Sequence, residues 1–317
     1  MTTKRLKGSE LIIADDGTLY HLGLKSDDNI PRNVLLVGDP ARVYQVAEYF
    51  DNGITFKQEN REFITACGTF RNVPMAVISV GIGTDNTEIA AVELYALHEY
   101  NYKTEKWKKR NQGYKPLNII RIGTSGGPQK DILIGSLAIS EYAIGLDNTG
   151  IYYPYESKNE IVKKIINALN KTEISKVHPY ISRATSSVVK ALSKGCREIG
   201  LKENQEKGFY LGITSSASGF YAPQGRRIGK LGKILIPDLQ EILAGINING
   251  KKVINNEMES SIMFRIFGEK LKYRVGTICA VLANRNKKEV VDPKEYTNSV
   301  CRAIIAGLRA MKILAKY

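Results

Sequence analysis

Cysteine and histidine are both scarce in this sequence. The four cysteines, Cys67, Cys196, Cys279 and Cys301, lie far apart and form no CxxC pair. That spacing excludes a disulfide framework and a structural zinc site. The three histidines, His21, His98 and His178, show no metal-ligand spacing, so no resident metal is expected. Long apolar runs are missing too. The longest, Ile278 to Ala283, has strand length and stops at Asn284-Arg285, far short of the roughly 20 residues of a membrane span. Met1 to Gly8 is basic and then polar, without the apolar segment of a secretory signal. A cytoplasmic protein with no membrane partner is the expectation.

Acidic residues are outnumbered, 32 against 46 Lys and Arg, for a net charge of +14. A nucleic-acid binder would gather that charge on one face with aromatics for stacking. Here the lysines are spread along the chain. The densest patch, Lys103 to Lys115 around Trp107, reads as a polar loop. No nucleic-acid partner is expected, and the excess charge serves solubility and the attraction of anionic substrates.

What the sequence does contain is alternation. Short β-rich runs fall at Asn33 to Gly38, Pro74 to Gly81, Asn118 to Gly123, Leu137 to Ser140, Tyr210 to Thr214 and Val275 to Ala283. Helical patterns fall at Ala41 to Phe50, Asn86 to Tyr100, Asn159 to Leu169, Asn256 to Leu271 and Lys294 to Lys316. This order predicts one α/β domain over residues 1–317, with a parallel or mixed sheet covered on both faces. The charged segment 101–116 reads as an inserted loop.

Ligands of open α/β sheets sit beyond the carboxyl ends of strands. Three such ends are glycine-rich: Gly38-Asp39-Pro40-Ala41-Arg42, Gly81-Ile82-Gly83-Thr84-Asp85-Asn86 and Arg121-Ile122-Gly123-Thr124-Ser125-Gly126-Gly127. None is a P-loop or a dinucleotide fingerprint. Arg121, on a strand beginning Asn118-Ile119-Ile120, is costly to desolvate unless an anion meets it. An anion site and plain salt bridging both fit. Glu257 and Glu259 in Asn256-Glu257-Met258-Glu259-Ser260 could be helix N-terminal charges, or acceptors for the vicinal hydroxyls of a sugar. The segment from Gly219 to Arg226 offers Phe220 for stacking, with Gln224 and Arg226 two residues apart. In extended backbone that pair would point one way and read a planar ring; an ordinary exposed loop is the alternative.

Together these segments resemble the nucleoside phosphorylase family, which includes uridine phosphorylases and hexameric purine nucleoside phosphorylases. The marks run in family order from His21-Leu22-Gly23-Leu24 through Gly38-Asp39-Pro40 with Arg42, Asn60-Arg61-Glu62-Phe63, Gly81-Ile82-Gly83, Arg121 to Gly127 and Glu257 to Ser260, ending at Asn284-Arg285. The resemblance implies a mixed, distorted, barrel-like sheet flanked by helices, with residues 1–32 as an N-terminal extension carrying His21. It implies phosphate held by Gly38, Arg42, Arg121 and Thr124, with Arg61 lent by a neighbouring subunit. Ribose would meet Glu257, Met258, Glu259 and the neighbour's His21. The base would lie by Thr124, Ser125 and Gly126, stacked on Phe220. Phe-Tyr-x-x-Gln-x-Arg is similar to the uracil-reading element of uridine phosphorylases, which makes Gln224 and Arg226 its readers. The implied reaction is phosphorolysis of uridine in a homo-oligomer, at least a dimer, with phosphate as co-substrate and no cofactor. Arg121, Arg226 and Glu259 carry its chemistry.

Two departures stand out. Asn86 occupies a position where bacterial uridine phosphorylases often place the Ser of a cation site, and 101–116 is longer than in compact bacterial members. Purine nucleoside phosphorylases supply an Asp near the C-terminal strand's end, where this chain reads Leu282-Ala283-Asn284-Arg285. Purine specificity is the rival reading on that account the poorer fit, and a nucleoside-binding protein without phosphorolysis is the other.

Overall fold

A computed structural model describes residues 8–316; the basic start, Met1 to Lys7, lies outside the described residues. Asn33-Val34-Leu35-Leu36-Val37 is apolar and β-branched enough to form a strand buried from Val34 onward, β1 (Asn33–Val37). Asp39 then accepts the Ala41 N–H at 2.9 Å and Pro40 takes the first helical position, both favourable at a helix start. Helix α1 (Pro40–Ala47) follows. Next come β2 (Phe56–Asn60), β3 (Phe63–Phe70), β4 (Val73–Ser79) and α2 (Thr84–Glu99). A small ribbon, β5 (Tyr100–Asn101) and β6 (Lys106–Trp107), leads to the long strands β7 (Asn118–Gly127) and β8 (Leu137–Leu146). The rest is α3 (Glu160–Leu169), β9 (Tyr180–Arg183), α4 (Ser186–Glu198), β10 (Phe209–Ala217), α5 (Leu239–Gly245), β11 (Asn247–Ile248), β12 (Lys251–Glu257), α6 (Ser260–Met263), β13 (Arg274–Asn284), β14 (Glu289–Val290) and α7 (Pro293–Leu314).

The main sheet runs β11-β12-β10-β8-β13-β7-β1-β4-β3-β2. Strand β12 also pairs with β7 at Asn256 and Gly126, so β12, β10, β8, β13 and β7 close into a barrel. The barrel is mixed, because β13 is parallel to β7 and antiparallel to β8. Register shifts in β10 and β13 distort it. Helices α4 and α7 cover the β7–β13 region with buried Val188, Leu192, Ala303 and Leu308. Among the described residues no helix is long and apolar enough to cross a membrane.

Two local expectations are corrected. The helix anticipated from Asn256 starts at Ser260, because Asn255, Asn256 and Glu257 continue β12 alongside β10. Their polar side chains hide the strand, since they are buried by partners rather than by apolarity. The segment 101–116 is not a plain polar loop. Trp107 stacks on Tyr95 at 4.3 Å between ring centres. The Glu99 carboxylate accepts hydrogen bonds from Arg110 Nε (2.8 Å), Tyr114 (2.7 Å) and Tyr273, holding the segment to the body.

Candidate active site

The ends of β1, β4, β7 and β12, with the loop after β10, open into one cavity of about 860 Å³. Gly38, Arg42, Arg121, Thr124, Ser125 and Gly126 form part of its wall. Phe220, Gln224, Arg226, Glu257, Met258 and Glu259 form another. His21 and Arg61 do not line it.

Arg42, in the first turn of α1, lines the cavity. Its residue is only 5% accessible, its Nε is buried without a partner, and it makes no ion pair among the described residues. A buried guanidinium without a counter-charge is unfavourable by on the order of several kcal/mol, and a bound anion would relieve that cost. Arg121 is different. Its guanidinium faces Glu259 directly and Glu257 at 3.3 Å. Burial opposes its charge, and the two carboxylates more than offset that, so its pKa is raised. The anion demanded by a buried Arg121 is thus already inside the protein. The Cys279 sulfur lies 3.3 Å from Arg121, but burial pushes that thiol up to about 12 and keeps it protonated.

Glu257 and Glu259 divide their work. Glu257 accepts the N–H groups of Glu259 and Ser260 at 3.1 Å, turning β12 into α6. Glu259 accepts the Gly83 N–H at 2.8 Å. Gly83 has a φ of 100°, a conformation open to glycine and strained for other residues. Burial raises the Glu259 pKa, with Arg121 opposing and Glu257 adding to the rise. Spare lone pairs on Glu259 remain for hydroxyl donors.

In the loop after β10 the backbone that carries Gln224 and Arg226 is not extended. Ala222–Gln224 is a 3-10 turn and Gly225 has a φ of 72°. The side chains meet all the same, because Arg226 Nη1 donates to Gln224 Oε1 at 2.6 Å. Arg226 also covers the Phe220 ring, with 3.9 Å from its guanidinium carbon to the ring centre. Phe220 is 51% exposed. Burial lowers the Arg226 pKa, and nearby Arg285 lowers it further.

His21 and Arg61 share a second cluster. Asn60 Nδ2 donates to the carbonyls of Tyr20 and His21, and Arg61 donates to the Tyr20 hydroxyl at 2.9 Å. His21 Nδ1 lies 2.6 Å from Glu93. Arg61 sits in the β2–β3 turn with a φ of 53°, a left-handed conformation costing a non-glycine residue about 1 kcal/mol.

The sequence profile of the Phosphorylase superfamily matches residues 32–316. The chain belongs to this superfamily. Similar proteins include a uridine phosphorylase of Thermococcus kodakarensis, 28% identical, with 96% of this chain and 89% of that protein covered. A uridine phosphorylase of Escherichia coli is 24% identical, with 93% and 98% covered. The solved nucleoside phosphorylase of Trypanosoma brucei, which shows uridine phosphorylase activity, superposes with a TM-score of 0.88 at 31% identity. That alignment covers 96% of this chain and 99% of the other.

Three further residues support or line the cavity. Arg285, which ends the family marks in the sequence, has a structural role here. Its guanidinium donates to the carbonyls of Gln224 and of Gly225 (3.0 Å), fixing the turn that carries Gln224 and Arg226. Gln240 Nε2 donates to the same Gln224 carbonyl at 3.0 Å. Asn256 lines the cavity and is bonded to Gln240. No local signal marks Gln240, on the short helix α5; Arg285 could have been found as a charge ending an apolar strand.

Proposed function

We propose that this superfamily member is a uridine phosphorylase, converting uridine and phosphate reversibly to uracil and ribose 1-phosphate. The observation that carries the reading is Arg42, a buried cation without an anion, in one cavity with the Phe220, Gln224 and Arg226 wall. A phosphate oxygen bonds to C1′ as the bond from C1′ to the base breaks, and that electron pair leaves on the pyrimidine. Arg42 holds phosphate under the sugar, and Arg121 holds Glu259 ready for the ribose hydroxyls. Arg226 and Gln224 stabilise the negative charge gathering on the base. Preorganised donors of this kind are worth about 10²–10³-fold each in rate. Phosphate is a co-substrate, and the scheme needs no cofactor.

The active unit in this proposal is a homo-oligomer, at least a dimer. In support, His21 and Arg61, the residues that the resemblance gives to a neighbour, lie together and apart from the chain's own cavity. The reading extends to pyrimidine salvage in the cytoplasm, where the four unpaired cysteines are at home.

Selectivity tests it. Wild type should release uracil from uridine well ahead of hypoxanthine from inosine. Arg226→Ala should lower kcat/KM for uridine by about 10–100-fold, since a charged hydrogen bond contributes roughly 1.5–3 kcal/mol, and should narrow that gap. A wild type that prefers inosine would overturn the pyrimidine assignment.

A further inference from the structure

For Glu259 to take ribose hydroxyls, as proposed above, two separate pieces of backbone must hold their places. One is its own, at the start of α6; the other is Gly83, at the start of α2, whose N–H it accepts at 2.8 Å. Both starts are tied to one carboxylate, Asp147, at the carboxyl end of β8. Asp147 is 4% accessible and does not line the cavity. Its Oδ2 accepts the Ser261 hydroxyl at 2.9 Å, in the first turn of α6 and two residues from Glu259. Its Oδ1 accepts the Gly150 N–H at 3.0 Å, which closes the turn 147–150. Thr149 in that turn donates to Asp85 Oδ1 at 3.0 Å and lies 3.1 Å from the Thr84 hydroxyl. Thr84 and Asp85 open α2, directly after Gly83.

A buried carboxylate needs donors in place of water, and Asp147 has a third in the Tyr180 hydroxyl of β9, at 2.8 Å on Oδ2. Stability alone would be served by any three donors. These two ties, through Ser261 and through Gly150 with Thr149, run instead to the two places that Glu259 depends on. Arg121 grips the carboxylate end of Glu259; Asp147 holds the backbone that carries it and the turn beside its N–H donor. We infer that Asp147 is a positioning residue for the ribose side of the site. Without touching substrate, it sets the distance between Glu259 and the Gly83 N–H, and with it the direction of the lone pairs left for the sugar. This assignment rests on the uridine phosphorylase reading and deepens it. Arg42, on α1, lies outside the linkage, so phosphate binding should not follow it.

The test compares uridine with 2′-deoxyuridine, which lacks one of the two vicinal hydroxyls, in wild type, Asp147→Ala, Asp147→Asn, Ser261→Ala and Tyr180→Phe. The ratio of kcat/KM for the two substrates is read within each protein, so it is unaffected by the fraction of chains that fold. Wild type should favour uridine by about 10–100-fold. Asp147→Ala cuts both ties and should lower the ratio at least about fivefold, with the KM for phosphate within about twofold of wild type. Ser261→Ala cuts one tie with the smallest change of volume, and should lower the ratio at least about threefold. Asp147→Asn keeps an acceptor for Gly150 and a polar partner for Ser261, and should hold the ratio above that of Asp147→Ala. Tyr180→Phe removes a donor to the same carboxylate but neither tie; it should lower Tm and leave the ratio within about twofold of wild type. A ratio within about twofold of wild type in Asp147→Ala or in Ser261→Ala overturns the role of Asp147, and so does a Tyr180→Phe ratio as low as that of Ser261→Ala. Uridine turnover by wild type keeps the function standing in each of those cases. A wild type that cleaves both nucleosides equally removes the ribose role of Glu259, and this assignment with it. A wild type that releases no uracil in the presence of phosphate removes the function itself.

Discussion

Arg42 and Arg121 look alike in the sequence and differ in the structure by what already faces them. Arg121 is neutralised by Glu257 and Glu259, whereas Arg42 has no counter-charge among the described residues. Arg42→Ala should therefore leave the fold intact and raise the KM for phosphate by at least about tenfold, as loss of a charged contact of roughly 1.5–3 kcal/mol predicts. Steady-state kinetics at varied phosphate checks it, and an unchanged KM would remove Arg42 from the anion site. Arg121→Ala should destabilise the protein as well, since it strands two buried carboxylates. Glu269, away from the cavity, gives a pH test. Burial pushes its carboxyl up to about 7, with Arg265 opposing. A raised pKa stabilises the fold below the unfolded value near 4.5 and loses that contribution as pH rises through about 7. Glu269→Gln should accordingly gain stability relative to wild type between pH 5 and pH 8 in urea titrations. A difference that does not vary with pH would contradict the burial argument.

At the scale of elements, legibility followed apolar content. Strands β1, β4, β7, β8, β10 and β13 announce themselves as apolar runs, and the glycine-rich turns after three of them could be read as a site. The hairpin β2–β3 was missed because β2, Phe-Lys-Gln-Glu-Asn, is an edge strand with one apolar residue. Helix α4 was missed although Val188, Val189, Leu192 and Cys196 have helical spacing and are buried. The polar end of β12 reads as helix in the sequence because Asn255, Asn256 and Glu257 carry no apolar strand signal. Segment 101–116 looked like a charged loop because its anchor, Glu99, precedes it and Tyr273 lies far along the chain. Trp107 is the single tryptophan and reports on that segment. Glu99→Ala should cost about 1–3 kcal/mol by leaving the buried Tyr273 hydroxyl without its acceptor, and should red-shift Trp107 emission as the stack on Tyr95 loosens. Unshifted emission would mean that the segment holds without its anchor.

For the whole molecule, barrel closure through β12 and β7 brings Glu257 and Glu259 next to the glycine-rich strand ends, a juxtaposition that sequence order alone does not reveal. The shared sites of the proposed oligomer are tested by mixing chains. Mixing Arg42→Ala with Arg61→Ala chains, with subunit exchange demonstrated, should restore about a quarter of wild-type activity, since half of randomly formed dimers carry one intact site. Mixtures as inactive as either parent would contradict an Arg61 lent across an interface. The most direct test of the account follows uracil release from uridine with and without inorganic phosphate. The account predicts release that requires phosphate, is supported by arsenate in its place, and yields ribose 1-phosphate in equal amount. Release at the same rate in phosphate-free buffer, with free ribose as product, would contradict it.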